Sequence, residues 1–277
     1  MALAALLLAP PQAARGASPN VAALQVALRA RATYFGTIDG IAGPRTIAGV
    51  RAFQRRAGLA VDGIAGPRTR RALGRLGRPL YGTRILRRGS IGWDVGVLQF
   101  LLETHGFPCG SVDGGFGFRT DVAVRRLQAF YGLAPDGIVG PWTRAALRRP
   151  PPRAPYRLYR PIAAPIGDGY GPRGTGFHAG LDFIAPWGAA VRAAGYGRVI
   201  EAGWNDGFGL DVVLRHSGGV TTRYAHLSSI AVRFGRWVGA GALIGRVGAT
   251  GRASGPHLHF EVAVRGANVD PRSALGW

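Results

Sequence analysis

Residues 39–46 read DGIAGPRT, from Asp39 to Thr46, and the same eight letters return from Asp62 to Thr69. Asp-Gly is a turn signal, and Gly-Pro then opens a helix, because proline is tolerated in a first helical turn where its missing N–H has no partner to lose. Outward from this octapeptide a longer repeat emerges. Leu24-Gln25, Asp39-Gly40, Gln54 and Asp62-Gly63 recur as Leu98-Gln99, Asp113-Gly114, Gln128 and Asp136-Gly137, always 74 residues on. Thr46, Gly58, Gly66, Pro67, Thr69 and Leu73 find matches in Thr120, Gly132, Gly140, Pro141, Thr143 and Leu147. Val21, Leu24 and Leu28 sit at helical spacing, as do Ile47, Val50 and Phe53, and Leu127 replaces Phe53 as one apolar core residue replaces another. The pattern predicts two units of three short helices, over 19–77 and 91–149, each small but able to fold alone. Taken singly, the repeated Asp, Gly and Thr could be turn and cap residues.

The 277 residues are 47% hydrophobic and 18% charged, which excludes a disordered polyelectrolyte. Forty-five Gly and 19 Pro without a collagen period point to short elements and many turns, not a long helical bundle. The net charge is +21, and with no Lys in the chain all 35 basic residues are Arg. Such a charge favours anionic surroundings: nucleic acid, acidic wall polymers or a membrane surface. Residues 1–150 hold 21 Arg against 7 acids, residues 151–277 hold 14 against 7, so the repeat half is the more basic. The Arg are scattered, without a recognition helix or an aromatic platform, and no specific nucleic-acid partner is expected. Cys109 is the single cysteine, which excludes an intramolecular disulfide and a thiolate metal cluster and suits a small buried residue. No run of 18 apolar residues occurs, so no transmembrane segment is expected. Residues 1–18 begin with an apolar stretch, Met1 to Ala9, like the core of a truncated signal peptide without its basic start; a frayed tail is the plain alternative.

Arg148 to Pro161 (RRPPPRAPYRLYRP) bars helix interior and central strand alike, so residues 150–161 read as a semi-rigid extended linker. Beyond it the period changes. Arg198 to Ala202, Asp211 to Arg215, Thr221 to Leu227 and His257 to Val264 read as short strands between Gly-containing turns, which makes 162–277 a mostly antiparallel β domain. The expected fold class is therefore multidomain α + β.

Five of the six histidines lie in this last domain. His178 and Asp182 are four apart in GFHAGLDF, on one face of a strand or helix, with Gly176 and Gly180 arguing against helix. A strand through PHLHFEV would point His257, His259 and Glu261 to one face, and Leu258, Phe260 and Val262 into the core. A catalytic zinc site takes three N or O protein ligands and keeps one position for water, whose pKa the ion lowers. Proton transfer to a leaving amine then needs a further group, and histidine suits it near neutral pH. Any one of these histidines could instead be a hydrogen-bonded structural residue, and Asp182 alone could cap a turn. Tyr224, expected on the strand face of His226, is a candidate for holding an oxyanion or substrate, or else a packed strand aromatic. Arg173 could steer a substrate carboxylate or sit in a solvated loop. His216 reads as a turn residue, and Glu261 could orient a ligand or pair with an Arg.

Two resemblances extend this reading. The pattern LQ…DGxxG…T…V…(F/L)Q…GL…DGxxG…T…AL over about residues 19–149 resembles two copies of the peptidoglycan-binding domain, which implies wall-binding helical modules without catalysis. His178-x3-Asp182, Tyr224-Ala225-His226-Leu227 and Gly255-Pro256-His257-Leu258-His259-Phe260-Glu261 resemble the three motifs of M23, lysostaphin/LytM-type zinc endopeptidases. That resemblance implies one Zn2+ per chain held by His178, Asp182 and His259, with His226 and His257 as the catalytic pair. It implies a peptidoglycan endopeptidase anchored by two wall-binding modules, extracellular or wall-associated, with peptidoglycan and anionic wall polymers as partners. A catalytically silent wall-binding regulator of another hydrolase is the rival reading, set back by the complete motifs.

Overall fold

The computed structural model describes residues 16–275; the apolar stretch expected to resemble an export signal lies outside them up to residue 15. The first half is helical: α1 (Pro19–Ala30), α2 (Pro44–Arg56) and α3 (Pro67–Ala72), then α4 (Trp93–Thr104), α5 (Phe118–Phe130) and α6 (Pro141–Ala146). Four of the six begin with proline in the first turn, as the octapeptide predicts. None of the described helices is long and apolar enough to cross a membrane.

The Asp-Gly turns owe their recurrence to one hydrogen-bonded device used four times. Gln25 Nε2 donates to Asp39 Oδ1 (2.6 Å) and Thr46 Oγ1 (3.0 Å), while its Oε1 accepts from Gly40 N (2.9 Å). Gln54 does the same with Asp62, Thr69 and Gly63; Gln99 with Asp113, Thr120 and Gly114; Gln128 with Asp136, Thr143 and Gly137. The glycine of each pair has φ between +72° and +78°, where a side chain would be strained. Each glutamine is buried, so its amide must find every partner inside the protein. These Asp, Gly and Thr are turn residues, and each unit is two copies of one helix–turn–helix step.

The two units pack through α1 and α4, where Gly96 lets the helices approach: a Cβ there would lie 3.3 Å from that of Ala23. Helix α4 is buried on two sides. Trp93, Val97 and Phe100 join the core of the first unit, and Val95, Leu98 and Leu102 that of the second.

The second half is β: β1 (Gly171–Arg173), β2 (Gly176–His178), β3 (Leu181–Phe183), β4 (Ala190–Arg192), β5 (Gly197–Asn205), β6 (Gly209–Arg215), β7 (Val220–Ile230), β8 (Trp237–Val238), β9 (Leu243–Val247), β10 (Leu258–Val264) and β11 (Ala267–Val269). Nine strands form one antiparallel sheet in the order β11-β10-β7-β6-β5-β8, with β3 on β10 and β9 joining β4 to β7. Strands β1 and β2 make a separate hairpin. Leu181, Phe183, Val212, Leu214, Leu258, Phe260 and Val262 build the core. The stretch 150–161 carries no helix or strand, but its second half is docked. Leu158 is buried in the β core, its N–H bonded to Ala274 O, and Tyr159 N bonds Ala194 O. The extended spacer is thus shorter than its proline content suggests, because Leu158 finds an apolar pocket.

The helical pair and the β domain touch directly. Ala267 joins the core of the second repeat, Gly106 O accepts from Asn268 N, and Arg126 donates to Gly266 O. At the β1–β2 turn, Ile38 N donates to Gly174 O (2.8 Å) and Val112 N to Thr175 O (2.7 Å).

Candidate active site

His178 ends β2, Asp182 lies on β3 and His259 on β10, directly opposite Asp182 in the register. The tight turn between β2 and β3 needs Gly180: a Cβ would fall 2.5 Å from Phe260 O and 2.9 Å from the His259 ring. Three donor atoms converge as a result. His178 Nε2 is 3.1 Å from Asp182 Oδ1 and 3.0 Å from His259 Nδ1, and His259 Nδ1 is 2.8 Å from Asp182 Oδ1. The outer ring nitrogens are committed elsewhere. His178 Nδ1–H donates to Gly169 O (2.8 Å) and His259 Nε2–H to Glu261 Oε1 (3.2 Å), which turns the inner nitrogens of both rings towards Asp182.

Two imidazole nitrogens and a carboxylate oxygen, all within 4.8 Å of one another, form a group that could hold a metal ion, and the donor set is that of a catalytic zinc site. Burial pushes the Asp182 carboxyl up, but hydrogen bonds from His178 and His259 outweigh it and hold it well below the usual range. Burial pushes His259 down, while Asp182 and Glu261 raise it to about 9. An ion entering this cluster competes with protons for the same lone pairs.

His226 and His257 stand beside the cluster with ring centroids 4.7 Å apart. His226 Nδ1–H donates to Thr250 O and His257 Nδ1–H to Gly255 O, both at 2.8 Å, so each ring keeps Nε2 free of a backbone partner. His257 Nε2 lies 3.9 Å from Asp182 Oδ1. Burial holds His226 below the ordinary imidazole range against the pull of the Thr250 carbonyl. Its backbone has φ +60°, a strained conformation for a bulky residue. Asp182, His226, His257 and His259 meet along a cleft of about 280 Å3, completed by Arg173, Gly207, Phe208, Arg252 and Ser254, with His178 buried behind it.

Tyr224 is not part of it. Its ring is fully buried, and its hydroxyl accepts from Ala194 N (2.8 Å) and Thr222 Oγ1 (2.9 Å) in the core. Alternation would have kept it on the face of His226, but the left-handed kink at His226 breaks the period of two. Arg173 does reach the cleft, its guanidinium 2.9 Å from Asp168 Oδ2 and 3.6 Å from Asp182 Oδ2. His216 is a buried structural residue bonded to Tyr196 O and Thr222 Oγ1. Glu261 plays both of its anticipated parts, touching His259 and lying 3.9 Å from Arg223 Nε.

Sequence reading passed over Arg223, Thr250 and Phe208. Arg223 pairs with Asp211 and Glu201, stacks over Phe208 and anchors the Glu261 carboxylate. Among 35 arginines nothing singled it out except its place directly before the motif that holds His226. Burial raises Asp211 to about 6 despite Arg223 beside it.

Residues 176–271, which include the whole donor cluster and the His226–His257 pair beside it, match Peptidase family M23. The β domain is an M23 peptidase domain. Residues 17–73 and 92–147 each match the family described as "Putative peptidoglycan binding domain". Over 118 residues the chain is 42% identical to the DD-carboxypeptidase/endopeptidase Mpg of Neisseria meningitidis, covering 42% of this chain and 27% of that protein. Over 96 residues it is 43% identical to the peptidoglycan DD-endopeptidase ShyC of Vibrio cholerae, 35% of this chain and 22% of the relative. The solved catalytic domain of lysostaphin from Staphylococcus simulans is 37% identical, with 39% of this chain and 90% of that one covered and a TM-score of 0.37. The chain spans about a quarter of the length of the curated relatives it matches. The similarity to them is thus a similarity of the M23 domain.

Proposed function

We propose that this chain is a zinc-dependent endopeptidase that hydrolyses peptide bonds of bacterial peptidoglycan, with its two helical repeats binding the wall. The observation that carries the reading is the complete three-donor cluster, open to an accessible cleft through Asp182 and His259, with two backbone-oriented histidines beside it. His178, Asp182 and His259 would hold one zinc ion. When bound, the ion supplies Lewis acidity towards an amide carbonyl and towards water.

The rest of the chemistry falls to side chains. His226, held below its ordinary pKa by burial, is neutral at physiological pH and offers Nε2 as a proton acceptor. His257 presents its own Nε2 beside it, so the pair can take a proton from attacking water and pass one to the leaving amine. Whichever ring carries the proton is also a hydrogen-bond donor towards an oxyanion. Arg173, which lines the cleft, would meet a carboxylate of the stem peptide. The repeats raise the local concentration of substrate by holding the enzyme on the wall, and the Arg excess suits anionic wall polymers. Such a protein acts outside the cytoplasm, in the periplasm or at the wall.

The test is incubation with isolated peptidoglycan and mass spectrometry of released fragments. New amino termini should appear with the wild-type chain and vanish with His178→Ala and with a chelator. Wall binding without release would point instead to a silent regulator. His257→Ala should abolish hydrolysis while keeping zinc; a variant that loses both would overturn the division between ligand and catalyst.

A further inference from the structure

His178 sits on a hairpin outside the main sheet of the β domain. Strands β1 and β2 form a two-stranded sheet of their own, three residues a side, outside the nine-stranded sheet. An isolated hairpin of this kind is at best marginally stable in water. Its turn, Gly174-Thr175, lies three residues before His178, and Arg173 precedes it directly. The positions of Arg173 at the cleft and of His178 behind it therefore depend on where the turn is held.

The turn is held by the helical repeats. Ile38 N donates to Gly174 O and Val112 N to Thr175 O. Ile38 and Val112 are the same position of the two repeats, 74 residues apart, each directly before an Asp-Gly turn that a buried glutamine locks. The two units, packed through α1 and α4, thereby offer equivalent N–H groups to successive carbonyls. A second contact fixes the assembly. Gly106, at φ +82°, lies so close to β11 that a Cβ would fall 1.9 Å from Asn268 O. Its counterpart 74 residues earlier is Ala32, also left-handed at φ +53°. The turn itself therefore accepts alanine, and glycine in the second repeat answers to the M23 domain.

The geometry points to a second role for the repeats: they clamp the β1–β2 hairpin, and through it they position His178 and Arg173. The metal cluster then reaches full affinity only with the helical pair docked. Ile38, Val112 and Gly106 are positioning residues in this scheme. The inference rests on His178 being a metal ligand, and the experiment separates failure of that premise from failure of the clamp.

Zinc affinity is measured by chelator competition on the full chain, for wild type, Gly106→Ala, Val112→Pro and, as a control, Gly132→Ala. Gly132 has φ +71° with nothing within 4 Å, so alanine there imposes backbone strain without touching the interface. Hydrogen exchange reports on the Ile38 and Val112 amides and on residues 171–178, and circular dichroism checks the fold. Gly106→Ala and Val112→Pro should weaken zinc binding by about tenfold, the effect of losing support around a ligand. Exchange across 171–178 should rise with the fold retained, and Gly132→Ala should match wild type. Zinc affinity unchanged when the hairpin amides have been freed would overturn the clamp, as would unprotected Ile38 and Val112 amides in wild type. A wild-type chain that binds no zinc would sink the metal-site reading instead.

Discussion

The two helical repeats share a fold and four copies of the same Gln-Asp-Thr device, yet they differ at more than half of their aligned positions, and five of these differences set the two surfaces apart. Arg29, Ala32, Thr33, Phe35 and Ala52 of the first repeat stand where the second has Glu103, Gly106, Phe107, Cys109 and Arg126. Phe35 is 77% exposed, whereas Cys109 is buried with its N–H and thiol directed at the Glu103 carboxylate. In the first repeat Thr33, Phe35, Arg45, Ala52 and Arg55 line an open groove of about 560 Å3. In the second, Phe107 and Arg126 meet Arg265 and Gly266, and Ala267 enters the core. The positions that keep the turns are common to both, and these differences mark where the M23 domain covers one repeat and leaves the other to solvent.

The reciprocal pair Gly106→Ala and Ala32→Gly should break the symmetry most sharply. Alanine at 106 must both crowd the Asn268 carbonyl and adopt a left-handed backbone, at a combined cost of about 4 kcal/mol. Glycine at 32 should change stability by less than about 1 kcal/mol, since it trades relieved strain against chain entropy. Thermal or urea unfolding of the two variants measures the contrast directly.

Glu103 should give a pH signature that the first repeat lacks. Burial raises its carboxyl from 4.5 to about 7, and Oε2 has no hydrogen-bond partner. The folded value lies above the unfolded one, so the contribution is fully present below about pH 4.5 and is lost as pH rises through about 7. The difference amounts to about 3 kcal/mol. Glu103→Gln should flatten this part of the stability profile; a profile with the same slope in that variant would assign the titration elsewhere.

Gln25→Leu and Gln99→Leu should each cost about 2 kcal/mol by stranding an Asp-Gly turn that the amide closes. Equal losses would show that the device is internal to each repeat. A much larger loss at Gln99 would mean that docking of the M23 domain depends on it. Smallest of all, Arg126→Ala removes an exposed hydrogen bond to Gly266 O and should cost about 1 kcal/mol or less.

Much of the site is legible in the sequence. His178 and Asp182 announced themselves by spacing, and His259 and Glu261 by alternation on what is β10, with His257 one residue before that strand, because an extended strand imposes a period of two. The same rule misplaced Tyr224. It holds only while every residue is extended, and His226 at φ +60° is not, so Tyr224 turns into the core and His226 into the cleft. The repeated Asp, Gly and Thr were visible as turn residues, but not the buried glutamine that binds them, since Leu-Gln reads equally well as a helical face. Arg223 carried no signal among so many arginines; only its contacts with Asp211, Glu201 and Glu261 set it apart.

By itself the sequence determined what depends on neighbours along the chain: helix starts at Gly-Pro, turns at Asp-Gly, strand faces, and the residue types a zinc site requires. Tertiary structure decided what depends on residues far apart. It brought His259 opposite Asp182 across 77 positions, set Leu158 into the β core, and laid the backbone N–H groups of Ile38 and Val112 against the hairpin that carries His178. Backbone N–H groups are the same in every residue but proline. A contact made by them leaves almost no mark in the letters, apart from the glycine at 106 where two backbones come too close for anything larger.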